Sequence, residues 1–197
     1  MNHISRYHIL HCEGHGTYGI VHCCLEVLQN NVVHPISGSG APDQVAVRTV
    51  AVKSLMLSNS SSPAQSLTEN SSITATGSDV FALNYGIPHT IIREAGLLRG
   101  LSHPNIISLH EILVGTTYVH LVFDFCSFTL HKVICEADAA GERTMDPTAL
   151  RSYCYQLFSA ISCCHENGCM HRDIKPANIL LDATKRSLKL ADFGMAR

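Results

Sequence analysis

The sequence predicts an α+β fold, and three observations support this prediction. Residues 45–57 alternate in polarity and are rich in β-branched side chains, a pattern typical of a β-strand. Residues 90–101 place apolar side chains on one face of a helix. Asp146 and Pro147 indicate the start of a second, longer helix, because aspartate caps helices and proline suits the first helical position. With 46% hydrophobic residues among 197, the chain can build a sizeable core in one domain or one and a half.

Residues 1–125 contain most of the predicted strands. Residues 4–28 are predicted to form two short strands around a glycine loop. Residues 106–112 and 117–125 are predicted to form two more, joined at Gly115. The helix at 90–101 should bury one face, which carries Ile91, Ala95, Leu98 and Leu101.

Two segments of the first half have compositions typical of loops. Residues 30–44 are rich in Asn, Gly, Ser and Pro, which predicts a loop. Residues 58–78 consist largely of Ser, Thr and Asn, from which no core can be built. We expect the second segment to be a disordered insertion.

After residue 125 the chain is predicted to be mainly helical. A short helix is expected at 130–137 and a long one at 147–167. Strands at 179–181 and 187–191 should flank a turn at 182–186. The apolar stripe of the long helix is predicted to contain Leu150, Tyr153, Cys154, Leu157, Ile161 and Cys164.

Composition and charge set limits on the class of protein. The net charge of -2 and the pI near 6.7 give no electrostatic argument for binding nucleic acid or an anionic membrane surface. No apolar run reaches the roughly 18 residues of a membrane span. Nine cysteines without a secretory signal indicate reduced thiols, and hence a cytoplasmic or nuclear protein.

The most specific motif is His-Arg-Asp-Ile-Lys-Pro-Ala-Asn at 171–178, followed by Ala-Asp-Phe-Gly at 191–194. The two strings resemble the catalytic loop and the metal-binding loop of a eukaryotic protein kinase. The resemblance implies that Asp173 is the catalytic base and that Lys175 neutralises charge on the transferred phosphoryl group. Asn178 and Asp192 offer oxygen ligands suited to Mg²⁺, so ATP and Mg²⁺ are the implied cofactors.

A glycine-rich string occupies residues 13–21. Glycines allow backbone amides to approach phosphate oxygens closely. The same spacing occurs in the dinucleotide-binding fingerprint, but a helix would then have to begin inside the loop. Here a strand continues, which favours a hairpin that covers a nucleotide; an ordinary β-turn is the alternative. The nucleotide-contacting residues would be Glu13, Gly14, His15, Gly16, Thr17, Tyr18, Gly19 and Val21.

Lys53, in Val-Ala-Val-Lys at 50–53, is the candidate lysine for the ATP phosphates. Val-Ala-Val-Arg at 45–48 nearly duplicates that string, so a shift in register would place Arg48 there instead. Lys53 is preferred, because the broad guanidinium of arginine does not replace a compact ammonium. Glu94, on the helix at 90–101, is the predicted partner of Lys53.

More narrowly, the chain is similar to cyclin-dependent kinases. Residues 86–94 are similar to the cyclin-binding helix signature of that family, and 192–197 read Asp-Phe-Gly-Met-Ala-Arg. The resemblance implies a five-stranded antiparallel sheet with one helix in the N-terminal lobe. It also implies inhibitory phosphorylation of Thr17 and Tyr18 and a hinge with Phe123 as gatekeeper. Further nucleotide contacts would come from Ala51, Asp124, Phe125, Cys126 and Leu180.

Partners are implied by the same resemblance. Lys175 is typical of serine/threonine kinases, so a protein substrate is expected. A cyclin-like activating partner is expected to bind through residues 86–98, although His89 and Ile91 differ from the usual signature. Thr129 falls where the family often has an aspartate beside the hinge.

A competing interpretation is a zinc site near the end of the long helix. Its candidate ligands would be Cys163, Cys164, His165, Cys169 and His171. The paired spacing of a zinc ribbon is missing, and His171 is better placed in the catalytic loop.

The chain ends at Arg197, before the activation segment that the resemblance leads one to expect. We therefore expect a bilobal fold with a complete N-lobe at 1–125 and the hinge and first part of the C-lobe at 126–197. Two functions fit this organisation: a serine/threonine kinase of cyclin-dependent type, or a truncated and inactive module that binds a nucleotide or a cyclin. A small-molecule kinase is disfavoured by the helix signature at 86–94.

Overall fold

The computed structural model describes residues 6–16, 19–28, 46–57, 89–141 and 145–197. The N-terminal part contains the strands β1 (Tyr7–Gly16), β2 (Gly19–Leu28), β3 (Ala46–Met56), β4 (Leu109–Val114) and β5 (Tyr118–Asp124). These five antiparallel strands form one sheet in the order β1-β2-β3-β5-β4. The predicted five-stranded sheet is confirmed.

The sheet separates two apolar cores, because successive side chains of a strand point to opposite faces. Val50 and Val52 of β3 belong to the smaller core. Leu55 of β3 and Leu121 of β5 belong to the larger core, which the sheet shares with the helical part. We call the face that carries Val21, Ala51, Lys53, Leu121 and Phe123 the lysine face, since the pairing of β2, β3 and β5 aligns these residues.

The helix α1 (His89–Gly100) packs on the larger core, next to the lysine face of the sheet. Its predicted buried face is confirmed, because Ile91, Ala95, Leu98 and Leu101 are all buried. Glu94 is buried on the same helix at 3% exposure. A carboxylate buried this deeply requires a charged or hydrogen-bonding partner.

The C-terminal part contains α2 (Leu130–Ala139), α3 (Pro147–Glu166) and a small sheet of β6 (Phe128–Thr129), β7 (Ile179–Leu181) and β8 (Leu188–Leu190). Both helices begin at a side-chain cap. The Asp146 carboxylate accepts a hydrogen bond from the Ala149 amide at 2.9 Å, and the Thr129 hydroxyl accepts one from Lys132 at 3.1 Å. The start of the long helix is therefore as predicted, and Thr129 serves as a cap.

The structure corrects two sequence predictions. Strand β4 begins at Leu109, because Ile106 instead forms an isolated parallel bridge with Leu190. The stripe of α3 was wrong at Leu150, which is 51% exposed, and at Cys154, which is also exposed. Both residues border an open cavity between α3 and α2, whose other side carries Leu130 and Ile134. The fully buried residue of the stripe that the prediction missed is Ala160.

Other predictions fall on parts of the chain without a description. The loop at 30–44 and the insertion at 58–78 lie outside the described residues, and so do 86–88 of the helix signature. The division into domains at residue 125 stays a prediction. None of the described helices combines the length and the apolar character that a membrane span requires.

Candidate functional site

The centre of the site is an ion pair between Lys53 on β3 and Glu94 on α1. The Lys53 ammonium lies 2.8 and 3.0 Å from the two carboxylate oxygens of Glu94. Burial raises the pKa of Glu94 above its usual value, and the adjacent Lys53 ammonium opposes that shift. The two side chains are 15% and 4% exposed, so the pair is shielded from solvent.

Strand register decides which basic residue reaches Glu94. Lys53 pairs with Val21 of β2 and Leu121 of β5, which places it on the lysine face. Arg48 lies nearer the start of β3 and forms an ion pair with Glu26 at 2.5 Å. The structure therefore brings Lys53, and not Arg48, to the carboxylate of α1.

The loop at 171–178 organises the predicted catalytic carboxylate. Asp173 Oδ2 accepts hydrogen bonds from the Lys175 ammonium at 2.8 Å and from the Asn178 amide at 2.9 Å. The Asn178 amide also donates to the backbone oxygen of Asp173 at 2.8 Å. The hydrogen bond from Lys175 is the main reason that the pKa of Asp173 lies below its usual value, and Asn178 adds to the shift.

A histidine joins this loop to the one at 191–194. His171 Nδ1 accepts from the Asp173 amide at 3.3 Å, so Nε2 donates to the Ala191 oxygen at 3.0 Å. Both bonds fit a neutral imidazole, and burial lowers the pKa of His171. The ring also packs edge-on against buried Phe193 at 4.7 Å. The two loops are therefore held in one arrangement.

Asp192 has the features expected of a cation ligand. Its backbone is left-handed, with φ 65°, a conformation that few non-glycine residues adopt. Its Oδ1 is buried, accepts no hydrogen bond from the described residues and lies 3.5 Å from the Lys53 ammonium. Asn178 uses its amide nitrogen for Asp173, which leaves the side-chain oxygen for a cation. These oxygen atoms fit Mg²⁺.

An apolar wall continues from the ion pair toward the end of β5. Ala51 pairs with Phe123 across β3 and β5. Ala51, Cys126 and Leu180 all pack against the core that contains Phe123. Such a wall can hold a flat aromatic base. Phe125 follows β5 and is partly exposed.

The predicted nucleotide contact Asp124 directs its carboxylate elsewhere. Lys189 lies 3.1 Å from one carboxylate oxygen and His110 lies 2.7 Å from the other. Burial alone would raise the pKa of Asp124, but its hydrogen bonds with Lys189 and His110 hold the pKa below the usual value. A contact of Asp124 with a base would therefore have to come from its backbone.

The glycine-rich hairpin is formed by β1 and β2, with Gly14 opposite Val21 and Gly16 opposite Gly19. A Cβ added to Gly19 would lie 2.3 Å from the backbone oxygen of Ser54, so a side chain is excluded there. Among the described residues, β2 continues directly from Gly19, where a dinucleotide fingerprint would require a helix. Thr17 and Tyr18 lie outside the described residues, and the His15 side chain is not described.

The zinc site suggested by the cysteines of α3 does not form. Within the described ranges, the one group of three potential metal ligands contains His11, Glu13 and Cys23. Sequence reasoning missed it because the three residues have no regular spacing along the chain; they meet through strand pairing. All nine cysteines have free thiols.

The fold and the site define a class of protein. A lysine paired with a helix glutamate, a carboxylate next to lysine and asparagine, and a second carboxylate beside the lysine are the parts used in phosphoryl transfer. The sequence matches the family model of the protein kinase domain over residues 48–197. The chain therefore belongs to the protein kinase domain family. The match begins inside β3, so the hairpin of β1 and β2 is placed by the structure alone.

Proposed function

We propose that the protein is a serine/threonine kinase of cyclin-dependent type that transfers the γ-phosphoryl group of Mg-ATP to a protein hydroxyl, in the cytoplasm or nucleus. The observation that carries the proposal is the Lys53–Glu94 pair at 2.8 Å, with Asp192 beside it. Kinases require the lysine, the helix glutamate and the metal-binding aspartate to be in place together. Here all three side chains meet.

Each residue of the site has a role in this proposal. Lys53 binds the α- and β-phosphates, and Glu94 holds the ammonium in position. Asn178 and Asp192 would hold Mg²⁺, and the ion would supply positive charge against the phosphates of the nucleotide. Positioning and charge stabilisation are the main contributions of such a site, because phosphoryl transfer needs little covalent chemistry from the protein.

Asp173 would accept or orient the proton of the attacking hydroxyl. Both side-chain hydrogen bonds to its carboxylate go to Oδ2, so Oδ1 is the oxygen that could take the proton. The low pKa of Asp173 keeps the carboxylate ionised at neutral pH. Lys175, which is 51% exposed and lies 2.8 Å from the Asp173 carboxylate, would counter charge on the transferred group.

The proposed preference for serine and threonine rests on Lys175, which occupies the position where serine/threonine kinases have lysine. The nucleotide base would lie against Ala51, Phe123, Cys126 and Leu180, whose apolar packing supports this placement. The glycine-rich hairpin would cover the phosphates with its backbone amides.

The cyclin-like partner would bind through α1 and the residues before it, at 86–98. The outward side of α1 exposes Ile92, which is 59% exposed, and Arg93. A groove beside it is lined by Ile92, Gly96 of α1 and Val114 of β4. An apolar side chain next to a groove suits a protein partner, and Glu94 on the opposite side of the helix would transmit binding to Lys53.

The test is transfer of labelled γ-phosphate from Mg-ATP to a mixed protein substrate, with and without cyclins. Wild type should label serine and threonine, and Asp173→Asn should abolish the signal while keeping the fold. Asp138→Asn, an exposed carboxylate on α2, is the matched control and should retain activity. Label on tyrosine would contradict the substrate class. Cyclin binding without turnover in wild type would favour the inactive binding module instead.

A further inference from the structure

Three side chains from β1 and β2 meet where His11 pairs with Cys23. The ligand atoms of His11, Glu13 and Cys23 all lie within 4.8 Å of one another. His11 pairs directly with Cys23 across the two strands, and Glu13 follows two positions after His11. His11 Nε2 is 2.7 Å from Glu13 Oε1.

The chemistry of this set is selective. Imidazole, carboxylate and thiolate are the three ligand types of protein zinc sites, whereas Mg²⁺ and Ca²⁺ prefer oxygen atoms alone. In a tetrahedral site with metal–ligand bonds of about 2.0–2.3 Å, ligand atoms are roughly 3.5 Å apart. The three atoms already lie within reach of that separation.

The three candidate ligands differ in exposure, which gives the site an inner and an outer side. Cys23 is 2% exposed, so the thiol would form the inner side of the site. His11 and Glu13 are 57% and 38% exposed, so they border the solvent and leave an entry path. Three protein ligands leave a fourth position for water or an external ligand, as in zinc sites that are not closed.

We propose that His11, Glu13 and Cys23 form a binding site for Zn²⁺ that links β1 to β2. Cys23 pairs with Ala51, and Ala51 pairs with Phe123, so the ion would lie on the lysine face. This face carries the predicted nucleotide contacts, and Glu13 is one of them. Bound zinc would engage the Glu13 carboxylate and occupy space on this face, so we expect it to weaken nucleotide binding, a consequence that rests on the proposed kinase function.

The first test measures metal binding alone. Titration of the full chain with Zn²⁺ should raise its melting temperature, and Co²⁺ should give the absorption band of a cobalt–thiolate bond. Cys23→Ala should remove the band, and His11→Gln should weaken binding by at least about 10-fold. If instead Zn²⁺ fails to raise the melting temperature, or both variants bind like wild type, the site does not exist.

Matched controls separate the site from chance binding. Cys12 is exposed on the other face of the same hairpin, since it pairs with His22, and Cys12→Ala should leave the cobalt band intact. His165→Gln, an exposed histidine on α3, should also have no effect. Loss of the band in Cys12→Ala would overturn the assignment and indicate adventitious thiol binding.

A second test measures a fluorescent ATP analogue with and without Zn²⁺. We expect weaker binding with Zn²⁺ in wild type and equal binding in Cys23→Ala. Unchanged affinity in wild type that has been shown to hold Zn²⁺ would overturn the coupling. Absence of nucleotide binding even without Zn²⁺ would count against the proposed kinase function, whereas the cobalt band would still report on the zinc site.

Discussion

Lys53 and Glu94 are separated by 41 residues in the chain, and their ion pair at 2.8 Å joins the central strand of the sheet to α1. The pair connects the two elements on which the rest of the site depends. β3 pairs with β2 of the hairpin on one side and with β5 on the other, and α1 packs against the turn that contains Phe193. A change at either residue should therefore impair the reaction and also destabilise the fold, because it leaves a buried charge without its partner.

Glu94→Gln is expected to lower the rate of phosphoryl transfer by roughly 100-fold, because a neutral amide no longer fixes the ammonium of Lys53. The measurement is kcat/KM for a protein substrate, alongside the melting temperature. Arg48→Gln is the control, since Arg48 pairs with Glu26 away from the site. That variant should lose stability but keep its activity per folded molecule. Equal loss of activity in both variants would contradict the assignment of Lys53.

Local motifs could be predicted from the sequence because their members are close in the chain. Asp173 and Asn178 are five residues apart, and the hydrogen bonds between them need only one loop. The start of α3 was also predicted, since a capping aspartate and a proline act within one helical turn. The choice of Lys53 over Arg48 became definite only with the register of β3.

Features that depend on distant neighbours could not be predicted. Leu150 has the spacing of a core residue, yet it is exposed because an open cavity separates it from Leu130 and Ile134 of α2. The carboxylate of Asp124 is occupied by Lys189, a residue far away in the chain. His11 and Cys23 meet only through the pairing of β1 with β2. Periodicity shows which side chains could be buried, and tertiary packing determines which of them are.

Gly19→Ala is expected to destabilise the protein by about 1–3 kcal/mol, because the new Cβ would overlap the Ser54 oxygen at 2.3 Å. Gly14→Ala has no atom within 4 Å of its Cβ and should change stability by less than about 1 kcal/mol. Chemical denaturation of both variants measures the difference. Equal stability of the two variants would show that β2 and β3 can separate freely at this point.

His120 should make stability depend on pH. Burial lowers the pKa of His120 from 6.5 to about 4 in the folded state, and its Nδ1 lies 2.8 Å from the Ser54 hydroxyl oxygen. Between these two values the unfolded chain binds more protons, so stability falls as pH falls from 6.5 toward 4. The loss attributable to this histidine is about 3 kcal/mol over that range.

The check is denaturation at several pH values for wild type and His120→Gln. The variant should lose less stability than wild type on acidification, although it will be less stable at neutral pH. His165→Gln, an exposed histidine, should follow the wild-type curve. Parallel curves for wild type and His120→Gln would show that this imidazole is protonated equally in both states.

Lys175→Met is expected to shift the acid limb of the rate profile to higher pH. In the wild type, the hydrogen bond from Lys175 lowers the pKa of Asp173, and without it the carboxyl should gain a proton at a higher pH. The proposed base would then be inactivated earlier on acidification. The measurement is kcat/KM from neutral to acidic pH, each curve scaled to its own maximum so that the general loss of activity does not obscure the shift.

Lys132→Met, an exposed lysine on α2, is the control and should retain the wild-type profile. An unchanged acid limb in Lys175→Met would mean that a group other than Asp173 limits the reaction at low pH.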